Sequence, residues 1–517
     1  MSTPARKVFN TAELLGLICN HLARARYTKS LLPVNKISFL VVVSYIWSHV
    51  DNVKNLLALI PAALTGPSPK LKPTTNSHPA TLDFSRFQLY APHVKSIEIH
   101  RTSSLVTLNW NVLNSALDQR PFLPNLRSLA IHGPRPRVQL YVPLYVDWVN
   151  WFTSPSLTSF EFAGLEEDMD IDNPTSPLEV SIILQAVLEG RPQLERLVLP
   201  HCSSRLGVEP EHASKSLGRR QAQAPEQYLC QLHSLSELEG GMLLLTFSFI
   251  QVISCLPRLQ SLRLYWADLE SIPTRLKLDP GAFSALWSLA FIGFDELEVT
   301  AALDVISVLP QLTLLELDLR TEINENWVVG TLLPRLEQMS RLSVFLFDFD
   351  STWGGGAYGF DSPTALGVLH RLPLEQAKLG GIAVNKLASL ATMFPLVKRL
   401  EVPNCKTSLH SLAAFASMPS LERLTIHLTL PKSSASHRHT IPRNSAFHTL
   451  ELFSISAKVS LNKELLLRAS RTLLDIWPNL YQIVPSSPGW NDEEDQTIDL
   501  FNACLLITRD AENVKTS

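Results

Sequence analysis

Few residues have types and spacing that could do chemistry. Gly354, Gly355, Gly356, Ala357, Tyr358 and Gly359 form the only glycine cluster. A phosphate loop ends in Gly-Lys-Ser/Thr, so that backbone N–H groups, an ammonium and a metal-bound hydroxyl meet the phosphates, and a dinucleotide turn opens a helix. Neither pattern follows, and the cluster reads as a loop. His437 and His439 could offer imidazoles to a metal, but zinc wants about four ligands and no second pair lies nearby. Their surroundings are polar and read as a loop. Trp353 and Trp490 flank loops, where such rings are more often packing anchors than ligand platforms. No Gly-x-Ser-x-Gly, His-Glu-x-x-His or Asp-x-Asp-x-Asp-Gly phrase occurs. Catalytic groups can lie far apart in sequence, yet nothing here favours an enzyme. No catalytic residue, cofactor or metal site is expected.

Bulk properties agree with a binding protein. The 517 residues are 45% hydrophobic and 18% charged, enough apolar material for a continuous core. A net charge of −3 argues against nucleic acid as the main partner, because phosphate binding needs a clustered basic surplus. Cys19, Cys202, Cys230, Cys255, Cys405 and Cys504 are scattered, with no Cys-x-x-Cys pair. Buried free thiols in a reducing compartment are expected. Lys7 is followed by Val8, Phe9 and then polar Asn10 and Thr11, so no secretory leader is expected. The most apolar stretches, 39–47 and 242–256, are shorter than the roughly 18 residues a spanning helix needs. A soluble protein of the cytoplasm or nucleus, without a membrane partner, is the expectation.

What would position a binding surface is a repeat. Pro124-Asn125-Leu126-Arg127-Ser128-Leu129-Ala130-Ile131 is echoed by phrases starting at Pro192, Pro257, Pro310, Pro395 and Pro419. Looser copies start at Pro92, Pro155 and Pro478, and degenerate ones at Leu232, Leu286, Leu342, Leu374 and Phe447. In each, the last apolar positions alternate with polar ones, which is a short strand with one buried face. Proline lacks an N–H and disfavours helix before it, separating a preceding helix from the strand. Between phrases lie helical stretches such as 178–188, with Val180, Ile183, Leu184 and Val187 at helical spacing. Each unit is therefore helix, proline stop, short strand and return loop. Such units stack side by side and place a parallel sheet on a concave side. An ordinary α/β domain would use fewer, longer strands and a glycine-rich turn. The pattern resembles the leucine-rich-repeat family over roughly residues 90 to 485, although the Asn/Cys turn position of that consensus is mostly missing. Cys202 and Asn404-Cys405 are its nearest echoes. The expected fold class is α/β, a leucine-rich-repeat solenoid with helices on the convex face and a small all-α module at the N-terminus.

Residues 8–60 do not carry the repeat. Asn10 precedes Glu13 at capping distance, and Leu14, Leu15, Ile18 and Leu22 form one apolar face. Phe39, Val42, Val43 and Ile46 form a second stripe ending near Trp47, and Val53, Leu56, Leu57 and Ile60 a third. Residues 61–83 have the Pro, Ser, Thr and Asn content of a linker. Residues 84–484 hold the repeats. Residues 485–517 carry an acidic run, 492–495, and an apolar patch, 500–507, expected to cap the array. Polar segments 203–227 and 431–444 read as excursion loops.

Val8, Phe9, Glu13, Leu14, Leu15, Leu17, Ile18, Cys19 and Leu22, then Leu32-Pro33-Val34-Asn35-Lys36, Phe39 and Trp47, resemble an F-box. The version is that of the large F-box families of mushroom-forming fungi, where leucine-rich repeats follow. Phe84, Arg86, Phe87, Tyr90, Ala91 and Val94 resemble the phrase that opens the repeats there. Asn10-Thr11-Ala12 stands where an F-box usually opens with Leu-Pro. The resemblance implies a substrate receptor of an SCF-type cullin–RING ubiquitin ligase. It would hold a Skp-type adaptor through Phe9, Leu14, Leu15, Ile18, Leu22, Leu32, Val34 and Trp47, and a protein target through the repeats. The alternatives are a helical cap on the array and a repeat scaffold unconnected to ubiquitin. Alternation puts Glu98, His100, Ala130, His132 and Arg196 on the concave face. Further along, Arg263, Tyr265, Glu316, Asp318, Asp348, Arg399, Glu401, Arg423 and His427 share it. Of these, Arg263, Tyr265, Glu316, Asp318, Asp348, Arg399 and Arg423 are the candidate target contacts. An acidic zone of Glu316, Asp318 and Asp348 suggests a target with a basic segment.

Overall fold

The computed structural model describes residues 8, 11–21, 31, 35–60, 83–100, 121–132, 148–163, 177–190, 193–200, 224–266, 278–279, 281–306, 311–320, 323–349, 363–380, 394–430, 444–455, 463–486 and 492–516. They fall into two compact units, Met1–Leu259 with Ala267–Ser271, and Gln260–Trp266 with Ile272–Ser517. The first unit opens with helices α1 (Ala12–His21), α2 (Lys36–Ile46) and α3 (Val53–Leu57). Its strands are β1 (His49–Val50), β2 (Ser96–His100), β3 (Ser128–His132), β4 (Ser159–Ala163), β5 (Arg196–Val198) and β6 (Glu237–Gly241). The second unit holds β7 (Ser261–Tyr265), β8 (Ser288–Phe294), β9 (Leu314–Leu319), β10 (Val344–Phe349) and β11 (Gln376–Leu379). It continues with β12 (Arg399–Ser408), β13 (Arg423–Thr429), β14 (Thr449–Ile455) and β15 (Gln482–Pro485).

Within each unit every strand pairs in parallel with the next in sequence. Each of the repeat phrases of the sequence supplies one strand, β2 to β15. Their registers superpose the same phrase positions: Ile97, Leu129, Phe160 and Leu197 align in the first unit. In the second, Leu262, Leu289, Leu315 and Phe345 do so. These side chains are fully buried, as are Leu264, Phe291, Leu317 and Phe347 two residues on. The fold is a leucine-rich-repeat solenoid. One phrase is displaced from its expected place. Leu238 pairs with Leu197, so Leu235, not Leu232, is the equivalent of Leu194. Leu232 closes a turn instead, its N–H donating to the Leu229 carbonyl at 3.0 Å.

Two hydrogen-bond ladders link the repeats. Before most strands the carbonyl of the preceding residue accepts two consecutive N–H groups of the next repeat. Lys95 accepts from Arg127 and Ser128, Arg127 from Thr158 and Ser159, and Thr158 from Glu195 and Arg196, at 2.7 to 3.0 Å. The second unit repeats the device at Gln260, Trp287, Thr313, Ser343, Glu375 and Lys398. The second ladder explains the polar residue that follows the proline. Asn125 donates to the Pro92 carbonyl at 2.8 Å, Ser156 to Pro124 at 2.9 Å and Ser420 to Pro395 at 3.0 Å. Gln311 donates to Phe283 at 2.9 Å and Asn479 to Ser445 at 2.6 Å. These bonds satisfy carbonyls that the strand ladder leaves unused, in a chain that mostly lacks the consensus turn asparagine.

The helices bury the expected stripes. Val180, Ile183, Leu184 and Val187 of helix Pro177–Glu189 are buried. In the N-terminal module, Val42 and Val43, and Val53, Leu56, Leu57 and Ile60, are buried. The start of α2 is fixed by Asn35, whose side chain accepts from the Ser38 N–H at 2.7 Å. β1 was not anticipated. Its preceding carbonyl, Ser48, accepts from Lys95 and Ser96 at 2.9 Å and supplies the first rung of the ladder. At the far end, helix Asp492–Thr516 buries Ile498, Phe501, Cys504 and Leu505. Its Asn502 accepts from the Ile483 N–H at 2.8 Å and donates to the Ile483 carbonyl at 2.9 Å. A side-chain amide thus takes the place of a further strand on β15. Asn10, the linker 61–82, most of the excursion loops, the glycine cluster 354–359, Trp353, Trp490, His437 and His439 lie outside the described residues.

Because each repeat completes its neighbour's core, a cavity in one repeat cannot be relieved locally. Leu262→Ala and Leu315→Ala should each cost about 2 to 5 kcal/mol in denaturant unfolding. A loss below about 0.5 kcal/mol at both sites would contradict the burial described, since that is the usual range for surface positions.

Candidate protein-binding faces

The strand face of the second unit mixes charge with apolar surface. Tyr265 and Ile292 are register partners, as are Leu314 and Val344, and Leu346 stands two residues beyond Val344. All five are half-buried on the face turned away from the core. Ion pairs border them. Arg263 reaches across Ala290 to Glu316, two strands away, at 2.5 Å. Strands are about 4.8 Å apart, and only a residue as short as Ala290 lets the two side chains meet over it. On the other side Lys378 pairs with Asp348 at 2.6 Å, and Arg423 with Glu451 at 3.2 Å. Thr425 donates to the same Glu451 carboxylate at 2.9 Å.

The acidic zone expected from the sequence is therefore internally compensated. Lys378, which sequence reasoning passed over, sits among its acids. Burial pulls its ammonium down, but the hydrogen bond and charge of Asp348, with Glu401 and Asp318, hold it above its usual value. Burial pushes the Glu401 carboxyl above the ordinary carboxylate range, against the pull of Lys378 and Arg399. The expected contacts Arg263, Tyr265, Glu316, Asp318, Asp348, Arg399 and Arg423 all lie on β7 to β13 of this face. Ile292, Leu314, Val344 and Leu346 were missed, because an apolar residue in a strand reads as core unless its register is known. At the ends of β7 to β9 a second cluster is built. The Arg320 guanidinium lies 3.4 Å from the Trp266 ring centroid. Glu298, which completes a capping box with Asp295, accepts from Trp266 Nε1 at 2.9 Å and from Arg320.

The strand face of the first unit gathers imidazoles. Glu98 lies 3.4 Å from His49 Nε2, 3.2 Å from His100 Nε2 and 3.9 Å from His132 Nε2. His100 and His132 are register partners with stacked rings, centroids 4.3 Å apart. Farther along, Arg196 spans Glu161 at 3.5 Å and Glu239 at 3.8 Å.

The N-terminal module shows a different surface. Of the residues expected to meet an adaptor, Leu14 is exposed, Ile18 half-buried and Leu15 fully buried. Trp47 stacks on Tyr90 at 4.8 Å, against the start of the repeats. Phe9, Leu22, Leu32 and Val34 lie outside the described residues. Leu17, at 57% exposure, joins Leu14, Ile37 and Leu40 as large apolar side chains in water on α1 and α2. Those two helices are tied by Tyr45, whose hydroxyl donates to the Gly16 carbonyl at 3.0 Å. Among the described residues no helix is long and apolar enough to cross a membrane, and Cys19, Cys230, Cys255 and Cys504 are free thiols; Cys19 and Cys504 are buried as expected, but Cys230 and Cys255, each at the C-terminal end of a helix, are exposed.

No protein-family model and no curated protein matches the chain. Solved structures similar to it include a leucine-rich-repeat protein of Leptospira interrogans, 11% identical at a TM-score of 0.30, covering 80% of this chain and 90% of that one. An internalin of Listeria monocytogenes is 13% identical at 0.28, covering 65% and 88%. TLR13 in complex with the RNA ssRNA13 is 13% identical at 0.29, covering 70% and 43%. The fold assignment rests on the strand register and its ladders, not on these distant likenesses.

The raised Glu401 carboxyl has a measurable sign. Below its ordinary value of 4.5 the group is protonated folded and unfolded alike. As pH rises through the higher folded value, the folded state must give up the proton against burial, and stability is lost. Glu401→Gln should melt at or above the wild-type temperature at pH 7, with the difference vanishing in acid. A lower melting temperature at pH 7 would mean that Glu401 acts as an anchoring anion for Lys378.

Proposed function

We propose that this chain is the substrate-recognition subunit of an SCF-type cullin–RING ubiquitin ligase. Helices α1 and α2 dock a Skp-type adaptor, and the strand face of the second unit holds a protein target. Support for the adaptor comes from Leu14, Leu17, Ile37 and Leu40, large apolar side chains exposed on a module that buries its other stripes. Large apolar side chains exposed together on a small helical module point to an interaction site. Support for the target comes from the strand face itself, with Tyr265, Ile292, Leu314, Val344 and Leu346 between ion pairs. An apolar centre with a polar rim is the anatomy of a protein interface. The chain contributes proximity and no covalent step, and the role belongs to the cytoplasm or nucleus. One observation favours the alternative of a helical cap on a scaffold unconnected to ubiquitin. Trp47 on Tyr90, and β1 on β2, fasten the module to the repeats.

Co-expression with a Skp-type adaptor separates the two readings. Wild type should co-purify with the adaptor, and Leu14→Asp with Leu17→Asp should abolish capture while leaving the melting temperature within a few degrees. Leu15→Asp should instead unfold the module, because that side chain is buried. Failure of the wild type to capture the adaptor, or full capture by the double variant, would leave the scaffold reading.

The target is to be found by proximity labelling. Arg263→Ala, Tyr265→Ala and Leu346→Ser should then each weaken its binding by roughly tenfold or more, as interface anchors do. Reversal of Glu316 and Asp318 to Lys should change the salt dependence. Binding lost only in variants of the helical side, such as Leu297→Asp, would place the target elsewhere.

A further inference from the structure

We propose that Glu98, His100 and His132, completed by His49, form a binding site for a divalent transition metal of the zinc type. The four residues come from three adjacent strands of one unit: His49 from β1, Glu98 and His100 from β2, and His132 from β3. Among the described residues, Glu98, His100 and His132 are a group whose ligating atoms all lie within 4.8 Å of one another. His49 Nε2 reaches the other oxygen of the same carboxylate at 3.4 Å. Zinc bonds of about 2.0 to 2.1 Å in a tetrahedron put neighbouring ligand atoms roughly 3.3 Å apart. The separations from Glu98 are 3.4, 3.2 and 3.9 Å, so the carboxylate already stands near that spacing from each imidazole, while the ligating atoms of Glu98, His100 and His132 together lie within 4.8 Å and would contract on binding.

Hydrogen bonding alone does not account for the arrangement. One carboxylate faces three imidazoles, and the buried Nε2 of His132 has no hydrogen-bond partner. At 3.9 Å from Glu98 it lies beyond hydrogen-bond range. A buried polar atom left in this way calls for a partner, and a metal supplies one. His49 is already oriented for the task. Its Nδ1 lies 3.2 Å from the Ser96 hydroxyl, which can hold the proton on that nitrogen and leave Nε2 with its lone pair. His100 and His132 lie nearly parallel, 8° apart, so binding would splay their Nε2 edges toward one point. Three imidazoles and one carboxylate suit zinc, copper or nickel rather than magnesium or calcium. Four protein ligands leave no open position, the pattern of a structural site. The ion would fasten β1, and with it the helical module, to the first two repeats.

This inference is independent of the adaptor reading. Full-length protein, stripped with a chelator, is titrated with Zn2+ against a chromogenic competitor, and its melting is followed with and without the ion. Wild type should take up one zinc per chain and melt several degrees higher with it. Co2+ in its place should give the visible absorption of a tetrahedral centre. Glu98→Gln, His100→Ala and His132→Ala should each weaken zinc by about tenfold or more and abolish the cobalt spectrum, with a smaller loss for His49→Ala. His100 is half-exposed, so its variant should keep the fold and isolates ligation from folding. His437→Ala with His439→Ala should change nothing. Absence of zinc uptake by wild type, or unchanged uptake and thermal shift in His100→Ala combined with His132→Ala, overturns the site.

Discussion

The structure depends on a backbone obligation. Most strands begin where a carbonyl of the preceding repeat accepts two successive N–H groups of their own, and that contact ties register to the backbone. A slip of one residue would turn each apolar row to solvent, so the ladder and the leucine rows specify the same register. Proline at the preceding bend costs no rung, since the N–H it lacks would lie outside the strand. The polar residue after the proline adds a second link to the repeat before.

The sequence was most legible where this obligation repeats. The phrases at Pro92, Pro124, Pro155, Pro257 and Pro419 mark their strands through proline, spacing and alternation together. Leu232 was misleading because leucines three apart on either side of Leu235 satisfy the same spacing, and only pairing with β5 chooses between them. β1 was illegible, since two residues after a helix carry no periodicity. The ring of imidazoles around Glu98 was half legible. Alternation placed Glu98, His100 and His132 on one face, but register brings the two histidines together, and His49 arrives from a strand the sequence did not announce. The apolar residues between the ion pairs of the second unit were hidden for the opposite reason, being indistinguishable from core by type.

The charged pairs of the strand faces form in two ways, across a small residue or by an offset between neighbouring strands. Strand spacing is too large for one short side chain to meet another two strands away, so long-range pairs form only over a small residue. Ala290 serves Arg263 and Glu316 in this way, and a two-residue offset serves Lys378 with Asp348. Such pairs set the spacing of exposed surface as much as its charge. Changing Ala290 to a larger residue would rearrange the face without touching the core beneath it.

Asn502 gives the last strand a consequence for synthesis. During translation, each finished repeat offers its outer backbone groups to the next, and an open row of this kind invites pairing with other chains. The row on β15 is answered by the amide of Asn502, which presents one acceptor and one donor to Ile483. A nascent chain stalled or cleaved ahead of that asparagine would keep its sheet yet expose an adhesive margin. Such a product would be folded yet sticky, and so a burden on quality control.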